Sequence, residues 1–354
     1  MGAPETPHQP YASVHKELKG PGDARPTALQ VVKDEGQIGK LAGKTILITG
    51  CSSGIGVETA RALYETGAKL FLTARDIPKL QKVIDDIVSK AEIKDAPKPE
   101  AIELHLDSLD SVRKAAEDFK SRSDKLNIMI NNAGVMASPL TRTQDGNELQ
   151  IGTNHFAHFL LLQLLKPTLL ASAKSSGTTS RVVCVSSAGH RFTTGVRFDD
   201  INWNRESEYE KWQAYGQSKI ANIYMGNSIT RRYGAQNLCG LSVHPGGIVT
   251  ELGRHLSEED YKLFGDSAQQ EKMFTTMFKS PEQGAATQVW AAVSPHFEGP
   301  ENNGRYLADV GESGPMPEDA AVGEAGYTKL AYNEEGEEKL WKISCEMVGV
   351  PEDD

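Results

Sequence analysis

A doubly wound α/β fold, one parallel sheet with helices on both faces, is the class this 354-residue sequence predicts. Three observations carry it. An apolar run, Lys44-Thr-Ile-Leu-Ile, feeds the glycine turn Thr49–Gly56 (T-G-C-S-S-G-I-G), which opens into an amphipathic stretch, Val57–Thr66. Strand, turn and helix in that order form half of a βαβ unit. Strand-like and helix-like stretches then alternate as far as residue 293, which implies parallel pairing. There is no internal repeat and no second domain is required, so right-handed crossovers bring the loops at the strand carboxyl ends to one edge, where ligands bind.

Residues 1–40 hold five of the 17 prolines and little apolar periodicity. They read as an extended or disordered arm that touches the body near Ala28–Val32. In the turn, Gly50 permits the sharp exit from the strand, Gly54 admits close approach of a pyrophosphate, and Gly56 lets the helix pack on the sheet. The free N–H groups of the helix start face the phosphates. Further strands are predicted at Lys69–Thr73, Ala101–Leu106, Leu126–Ile130, Arg181–Val185 and Leu238–Val243. Helices are predicted at Ile77–Lys94, Ser108–Ser121, Asn147–Leu170, Trp212–Tyr233 and Pro281–Val293. Residues 41–311 make up the dinucleotide-binding and catalytic domain, with a flap over 250–280, and 312–354 an acidic segment with a helix over 333–349.

The charge pattern narrows the partners. From Glu312 onward there are twelve acids and three bases, so nearly all of the net charge of −10 sits in the last segment. The body is close to neutral, which gives nucleic-acid binding no electrostatic support. No run approaches the roughly 18–20 uninterrupted apolar residues of a membrane span. The most apolar stretch, Phe156–Leu170, is broken by His158, Gln163, Lys166 and Pro167 and reads as a buried helix. The start lacks a charged-then-apolar signal, and Cys51, Cys184, Cys239 and Cys345 are scattered at no metal-ligand spacing. A cytoplasmic location with reduced cysteines and no metal is expected. His155 and His158 stand at i, i+3, but no third ligand accompanies them.

The chemistry-bearing residues lie at the predicted strand ends. After the second strand stands Ala74-Arg75, about 25 residues past Gly50. An acid there would hold a ribose 2′-hydroxyl; a guanidinium suits a 2′-phosphate, so NADP(H) is expected over NAD(H). Asp107 ends the third strand, where its carboxylate either accepts from an adenine amino group or caps the following helix. Asn131-Asn132-Ala133-Gly134 follows the fourth strand and can tie strand ends together beneath a cofactor. Tyr215 and Lys219 are four apart in a helical context and share a face. A phenol has an ordinary pKa of about 10. An ammonium beside it, with the charge of an oxidised nicotinamide, favours the phenolate and brings that value toward working pH. Ser187, just past the strand R-V-V-C-V, can hydrogen-bond a substrate carbonyl.

These residues together resemble the short-chain dehydrogenase/reductase family. T-G-x-x-x-G-x-G at Thr49–Gly56, Asp107, N-N-A-G at Asn131–Gly134, Asn154, Ser187, Tyr215-x-x-x-Lys219 and H-P-G-G at His244–Gly247 occur in order, over about Leu41 to Ala308. The resemblance implies a Rossmann fold and these roles. Tyr215 donates or accepts the proton, Lys219 lowers its pKa and holds the nicotinamide ribose, Ser187 positions the carbonyl, and Asn154 anchors a relay water. Gly50, Ser52, Ser53, Gly54, Ile55, Gly56, Arg75, Asp107, Asn132, Ala133 and Gly134 would contact NADP(H), with Pro245, Gly246, Ile248 and Thr250 wrapping the nicotinamide. The 28-residue gap from Ser187 to Tyr215, with Arg191-Phe192 and F-D-D-I-N-W, is similar to the retinol dehydrogenase and WW-domain oxidoreductase group. Neither a WW domain nor an N-terminal membrane anchor is expected. By resemblance, the helices Thr153–Leu170 and Trp212–Tyr233 make a subunit contact, so a homodimer or homotetramer is expected.

The flap supplies an apolar face from Met273, Phe274, Met277 and Phe278, with Leu263 and Phe264 before it. It is either core or a lid for a lipophilic carbonyl or alcohol; Phe192, Phe198, Trp203 and Trp212 are candidates for the facing wall. The expected activity is hydride transfer between NADP(H) and such a small molecule. The alternative is a catalytically silent NADP-binding regulator on the same fold.

Overall fold

β1 (Thr45–Ile48), four residues buried throughout, lies inside the sheet rather than at its edge. β2 (Lys69–Ala74) and β3 (Glu100–Glu103) extend the sheet to one side. β4 (Ile128–Asn131), β5 (Ser180–Val185), β6 (Leu238–His244), β7 (Tyr306–Ala308) and β8 (Gly311–Glu312) extend it to the other. The order is β3-β2-β1-β4-β5-β6-β7-β8, parallel except for β8. Strand order reverses between β1 and β4, which opens a crevice at their carboxyl ends. The computed structural model describes residues 6–262, 265–317 and 326–352.

Helices cover both faces, as the alternation predicted. On one side α1 (Ala28–Asp34), α2 (Ile55–Tyr64), α3 (Ile77–Lys90) and a later helix, Ala286–Val293, pack in one core. The other face carries α4 (Leu109–Arg122), α5 (Leu149–Ser176), α6 (Lys211–Tyr233) and the C-terminal helix. In chain order these last two helices are labelled α7 (Ala286–Val293) and α8 (Glu334–Val348), and the short helical pieces Glu258–Lys262, Ser267–Lys272 and Pro281–Gly284 come before α7. α5 is long and apolar enough to cross a membrane. Phe156, Phe159, Leu160, Leu165 and Leu169 are nevertheless buried in this chain's own core, so it is a core helix.

One expectation needs correction, and one feature was not anticipated. The N-terminal arm meets the body over Ala28–Val32, as expected, but there it is helical rather than extended or disordered. Thr27 accepts from Gln30 N (3.2 Å) and starts α1, whose Ala28, Val31 and Val32 share one face and are fully buried. Burial of such side chains contributes about 1.5–3 kcal/mol each for the larger ones. Glu35, just past α1, accepts from Trp290 Nε1 at 2.8 Å and Ser294 Oγ at 2.9 Å, locking the arm to α7. Further upstream, buried Arg25 pairs with Asp23 at 2.8 Å and donates to the carbonyls of Met277 (2.7 Å) and Phe278 (2.6 Å). The arm therefore holds the end of the flap. Residues 1–5 lie outside the described residues.

The unanticipated feature is the last pair of strands, β7 and β8, which the sequence reading passed over. They have three and two residues. Their two-residue turn is Asp309-Val310, both with positive φ (54° and 55°), a conformation usually marked by Asn-Gly. Helix α8 caps the α5–α6 face: Leu340, Trp341, Cys345 and Val348 are buried there, and Asn227 Nδ2 donates to Glu337 Oε1 (2.8 Å).

Candidate active site

The crevice at the strand ends is a cavity of about 1310 Å³. An ordinary small-ligand pocket occupies about 300–1,000 Å³, so there is room for two molecules. One end is lined by Thr73, Ala74, Arg75 and Asp107, the middle by the glycine turn and Asn132–Gly134, and the other end by Ser187, Tyr215, Lys219, the 245–250 loop and the flap.

The glycine turn is held by contacts no side chain would permit. A Cβ on Gly56 would collide with the carbonyl oxygen of Gly50 and stand 2.7 Å from Asn132 Nδ2. Gly54 has φ +63°, and Thr250 Cγ2 faces it at 3.5 Å from the position a Cβ would take. The 245–250 loop thus closes opposite the turn. Asn132 Nδ2 donates to Thr49 O (2.8 Å), and the backbone N–H groups of Asn132 and Ala133 both donate to Thr49 Oγ1 (3.0 Å each). The amides tie β1 to β4, as expected. His158 Nε2 lies 2.9 Å from the same Thr49 hydroxyl, while His155 Nε2 meets Ser344 Oγ at 2.9 Å. The two histidines serve different partners; among the described residues, no three potential ligands gather for a metal.

At the adenine end, Arg75 is exposed and has no hydrogen-bond or ion-pair partner among the described residues. Lys79, the nearby cation, pairs with Glu251 at 3.2 Å. Asp107 does not cap α4: Ser108 does, accepting from Ser111 N at 3.3 Å, which leaves the Asp107 carboxylate facing the cavity. β3 has ended by then, at Glu103, so Asp107 sits on the loop after it.

At the other end Tyr215 and Lys219 are buried on one face of α6, the ammonium 5.6 Å from the centre of the phenol ring. Lys219 Nζ donates to Val185 O at 3.1 Å. A Cβ on Gly134 would come within 3.5 Å of that nitrogen and 3.0 Å of Asn154 Oδ1, so Lys219 and Asn154 converge beneath Gly134. Gly189 stands where any Cβ would collide with the Tyr215 ring. Burial pushes the phenol up to about 12, and the Ser187 hydroxyl offsets only part of that. Burial also pushes Lys219 down to about 8. In the chain by itself, desolvation therefore outweighs the attraction that was expected to lower the phenol.

Asn154 lies in a π-helical turn, Gly152–Phe156, within α5, a distortion frequent at functional sites. Both amide protons are committed, to Val135 O and Ser218 Oγ (2.9 Å each), and Oδ1 accepts from Val135 N (2.8 Å). Its backbone carbonyl accepts from His158 Nδ1 at 3.0 Å. The side chain therefore clamps the loop after β4 to α6.

Of the predicted substrate wall, Met273, Phe274, Met277 and Phe278 line the cavity with Phe192 and Trp212. Phe198 and Trp203 do not. Trp203 is buried under the Arg197 guanidinium (4.2 Å from the ring centre), and Phe198 packs beneath Lys339 of α8. Leu263 and Phe264 lie outside the described residues. His15, Arg25, Arg191, Tyr306, Asp309 and Met316 also line the cavity, although sequence reasoning had missed them.

A family model described as short chain dehydrogenase matches residues 44–196. Over 345 residues the chain is 45% identical to "Short-chain dehydrogenase/reductase prx1" of Penicillium roqueforti, covering 98% of this chain and 96% of that one. The chain belongs to the short-chain dehydrogenase/reductase family. As a member it is an oxidoreductase that binds a nicotinamide cofactor and acts on a small molecule. It is also 34% identical to human retinol dehydrogenase 14, with 91% of each chain covered. Among solved structures, an uncharacterized protein from Mycobacterium paratuberculosis matches with a TM-score of 0.64 and 30% identity, over 89% of this chain and 97% of that one. A short-chain dehydrogenase/reductase places its dinucleotide along the strand ends; the glycine cradle and the length of this cavity fit that group.

Proposed function

We propose that this protein is an NADP(H)-dependent oxidoreductase that moves a hydride between nicotinamide and the carbonyl or alcohol carbon of a lipophilic small molecule. The observation that carries the reading is the convergence of the Tyr215 phenol, the Ser187 hydroxyl and the Lys219 ammonium on one wall of a cavity whose far end is Arg75. Gly50, Ser52, Ser53, Gly54, Ile55 and Gly56 would cradle the pyrophosphate, and Arg75 the 2′-phosphate. Asp107 would take the adenine amino group, and Asn132, Ala133 and Gly134 would form the floor. Pro245, Gly246, Ile248 and Thr250 would close over the nicotinamide end.

When bound, the cofactor supplies or accepts the hydride and, oxidised, brings a positive charge beside the phenol. The protein's part is the proton. Ser187 Oγ and Tyr215 Oη hold the substrate oxygen between them, and Tyr215 gives its proton to the forming alkoxide or takes it from the alcohol. Lys219, whose ammonium donates to Val185 O, offers the cation that favours the phenolate. Asn154 acts by position, keeping Val135 and Ser218 in place; a relay water would have to share its carbonyl with His158. The flap aromatics and methionines favour an apolar substrate, and the name of the human relative is consistent with a lipophilic alcohol or aldehyde. Four buried cysteines without a disulfide suit the reducing cytoplasm.

The test is loss of reduced-nicotinamide absorbance with NADPH and, separately, NADH across apolar aldehydes, ketones and quinones. Turnover favouring NADPH supports the reading. Tight NADPH binding with no turnover across the panel would favour a silent regulator instead.

A further inference from the structure

His190 has no part in the chemistry just described, yet it is fully buried three residues beyond Ser187, in the turn Ala188–Phe192. Its Nδ1 lies 2.6 Å from the carbonyl oxygen of Ser187. A carbonyl only accepts, so the proton is on Nδ1. Nε2 is then a bare acceptor, and the backbone N–H of Thr328 donates to it from 3.3 Å. The Tyr306 hydroxyl lies 3.5 Å from Nδ1, and its ring stands edge-on to the imidazole with 5.1 Å between centres. A donor on one nitrogen and an acceptor on the other is a pattern that one neutral tautomer alone supplies. Imidazolium would set a second N–H against that of Thr328. Burial, the largest influence on this ring, pushes its pKa down to about 4 and keeps it neutral.

The held carbonyl belongs to the residue whose hydroxyl stands beside the Tyr215 phenol. Ser187 Oγ accepts from Gly189 N (3.0 Å), and Gly189 lies directly against the Tyr215 ring. The turn that aims this hydroxyl therefore has a buried side-chain brace, His190, and the brace's far end is the segment after β8. The neighbouring Arg191 grips the same segment, donating through Nη2 to Gly326 O at 2.6 Å. Met316 and Gly326 of that segment line the cavity.

We propose that His190 is a positioning residue for the Ser187 hydroxyl, and that through Thr328 it makes residues 326–328 a structural part of the active site. The proposal rests on Ser187 and Tyr215 being the pair that holds the substrate oxygen. A misplacement of such a group by about 1 Å can cost about 10²-fold in rate.

The variants His190→Ala and His190→Asn separate positioning from bulk stability, because an asparagine amide can reproduce the donation from Nδ1. With a substrate that the wild type reduces, His190→Ala is expected to lower kcat about 10²-fold, with the NADPH Kd and substrate KM little changed, and His190→Asn to recover most of the loss. Equal kcat in wild type and His190→Ala would overturn the proposal, as would a loss in KM alone. Two readouts need no turnover and so stand even if the proposed activity fails. In the NADPH-bound full chain, the ¹⁵N shifts of His190 should show a protonated Nδ1 and a bare Nε2; a protonated Nε2 overturns the proposal. Amide exchange over 187–192 should quicken in His190→Ala and return toward wild type in His190→Asn; exchange unchanged in His190→Ala overturns it. If His190→Ala does not fold, the ring shifts and the His190→Asn exchange decide.

Discussion

Replacing Arg75 with alanine should remove most of the preference for a phosphorylated cofactor while leaving NADH binding nearly intact. Arg75 follows β2 directly and lines the cavity, and among the described residues no side chain pairs with its guanidinium. Of the other cations near that end, Lys79 pairs with Glu251, which also takes a hydrogen bond from Ser53 and feels the charge of Arg254. Asp76 is committed to the start of α3, where it accepts from Lys79 N at 2.8 Å. A hydrogen bond to a charged group contributes about 1.5–3 kcal/mol net. Arg75 is exposed, so screening puts its contact with a 2′-phosphate at the low end, about 1.5–2 kcal/mol, or roughly 10- to 30-fold in Kd. The assay is titration of cofactor fluorescence with NADPH and NADH for wild type, Arg75→Ala and Lys79→Ala. The wild-type preference should narrow at high salt, since the Debye length falls to about 3 Å at 1 M. An NADPH affinity within twofold of wild type in Arg75→Ala, or equal losses for both cofactors, would refute the reasoning; a larger loss in Lys79→Ala would transfer the role.

Three further outcomes are expected. Tyr215→Phe should lower turnover by about 10²–10⁴-fold, the usual contribution of a positioned acid–base group, with NADPH affinity unchanged; unaltered turnover would remove Tyr215 from the chemistry. Phe274, which packs on Phe278 with ring centres 4.5 Å apart, should matter by substrate size: Phe274→Ala should raise KM for large apolar substrates far more than for small ones. Equal effects on both would reduce the flap to simple packing. The third concerns acid. Burial pushes His155 to about 3, His158 and His190 to about 4 and His244 to about 3, against an ordinary 6.5. The unfolded chain then binds more protons at any pH between those values and 6.5. Stability is therefore fully present above about 6.5 and falls as pH is lowered, each histidine contributing about 1.4 kcal/mol per pH unit. Urea midpoints measured near neutrality and about two units lower should differ steeply; a flat profile would show that these rings are not held neutral.

The sheet and its crevice were legible because periodicity is a local property: β1, the glycine turn and α2 occupy neighbouring residues and state their own geometry. The same is true of Tyr215 and Lys219, four apart on one helix. What escaped was whatever depends on distant residues or on an unmarked turn. Asp309-Val310 adopts left-handed backbone without a glycine or asparagine to announce it, so β7 and β8 left no signature. The contact of Ala28–Val32 with the body was legible, but its helical form was not, because the apolar face spans only two turns among prolines. Phe198 and Trp203 illustrate the limit from the other side. Composition placed aromatics near the substrate, and only tertiary structure sends Phe192 and Trp212 to the cavity and the other two into packing. His190 had a signal in plain view, a histidine three residues after the strand-end serine, but its partner at Thr328 is 138 residues away.

Helix α8 has a consequence for assembly. Trp341 stands edge-on to Phe159 of α5 (4.8 Å between centres), lies under the Arg232 guanidinium (4.8 Å) and packs near Tyr233, while Glu337 takes Arg231 at 2.6 Å. The face that α5 and α6 would offer to a neighbouring molecule is thus already occupied from within, by the chain's own tail acting as a tethered surrogate subunit. A tethered occupant is present at fixed local concentration and does not dilute away. Docking through that face would require the tail to leave, exposing a buried tryptophan and an unpaired Arg231. The full chain should therefore not associate through this face, and a dimer in sedimentation that is lost on changing exposed residues of α5 or α6 would refute that.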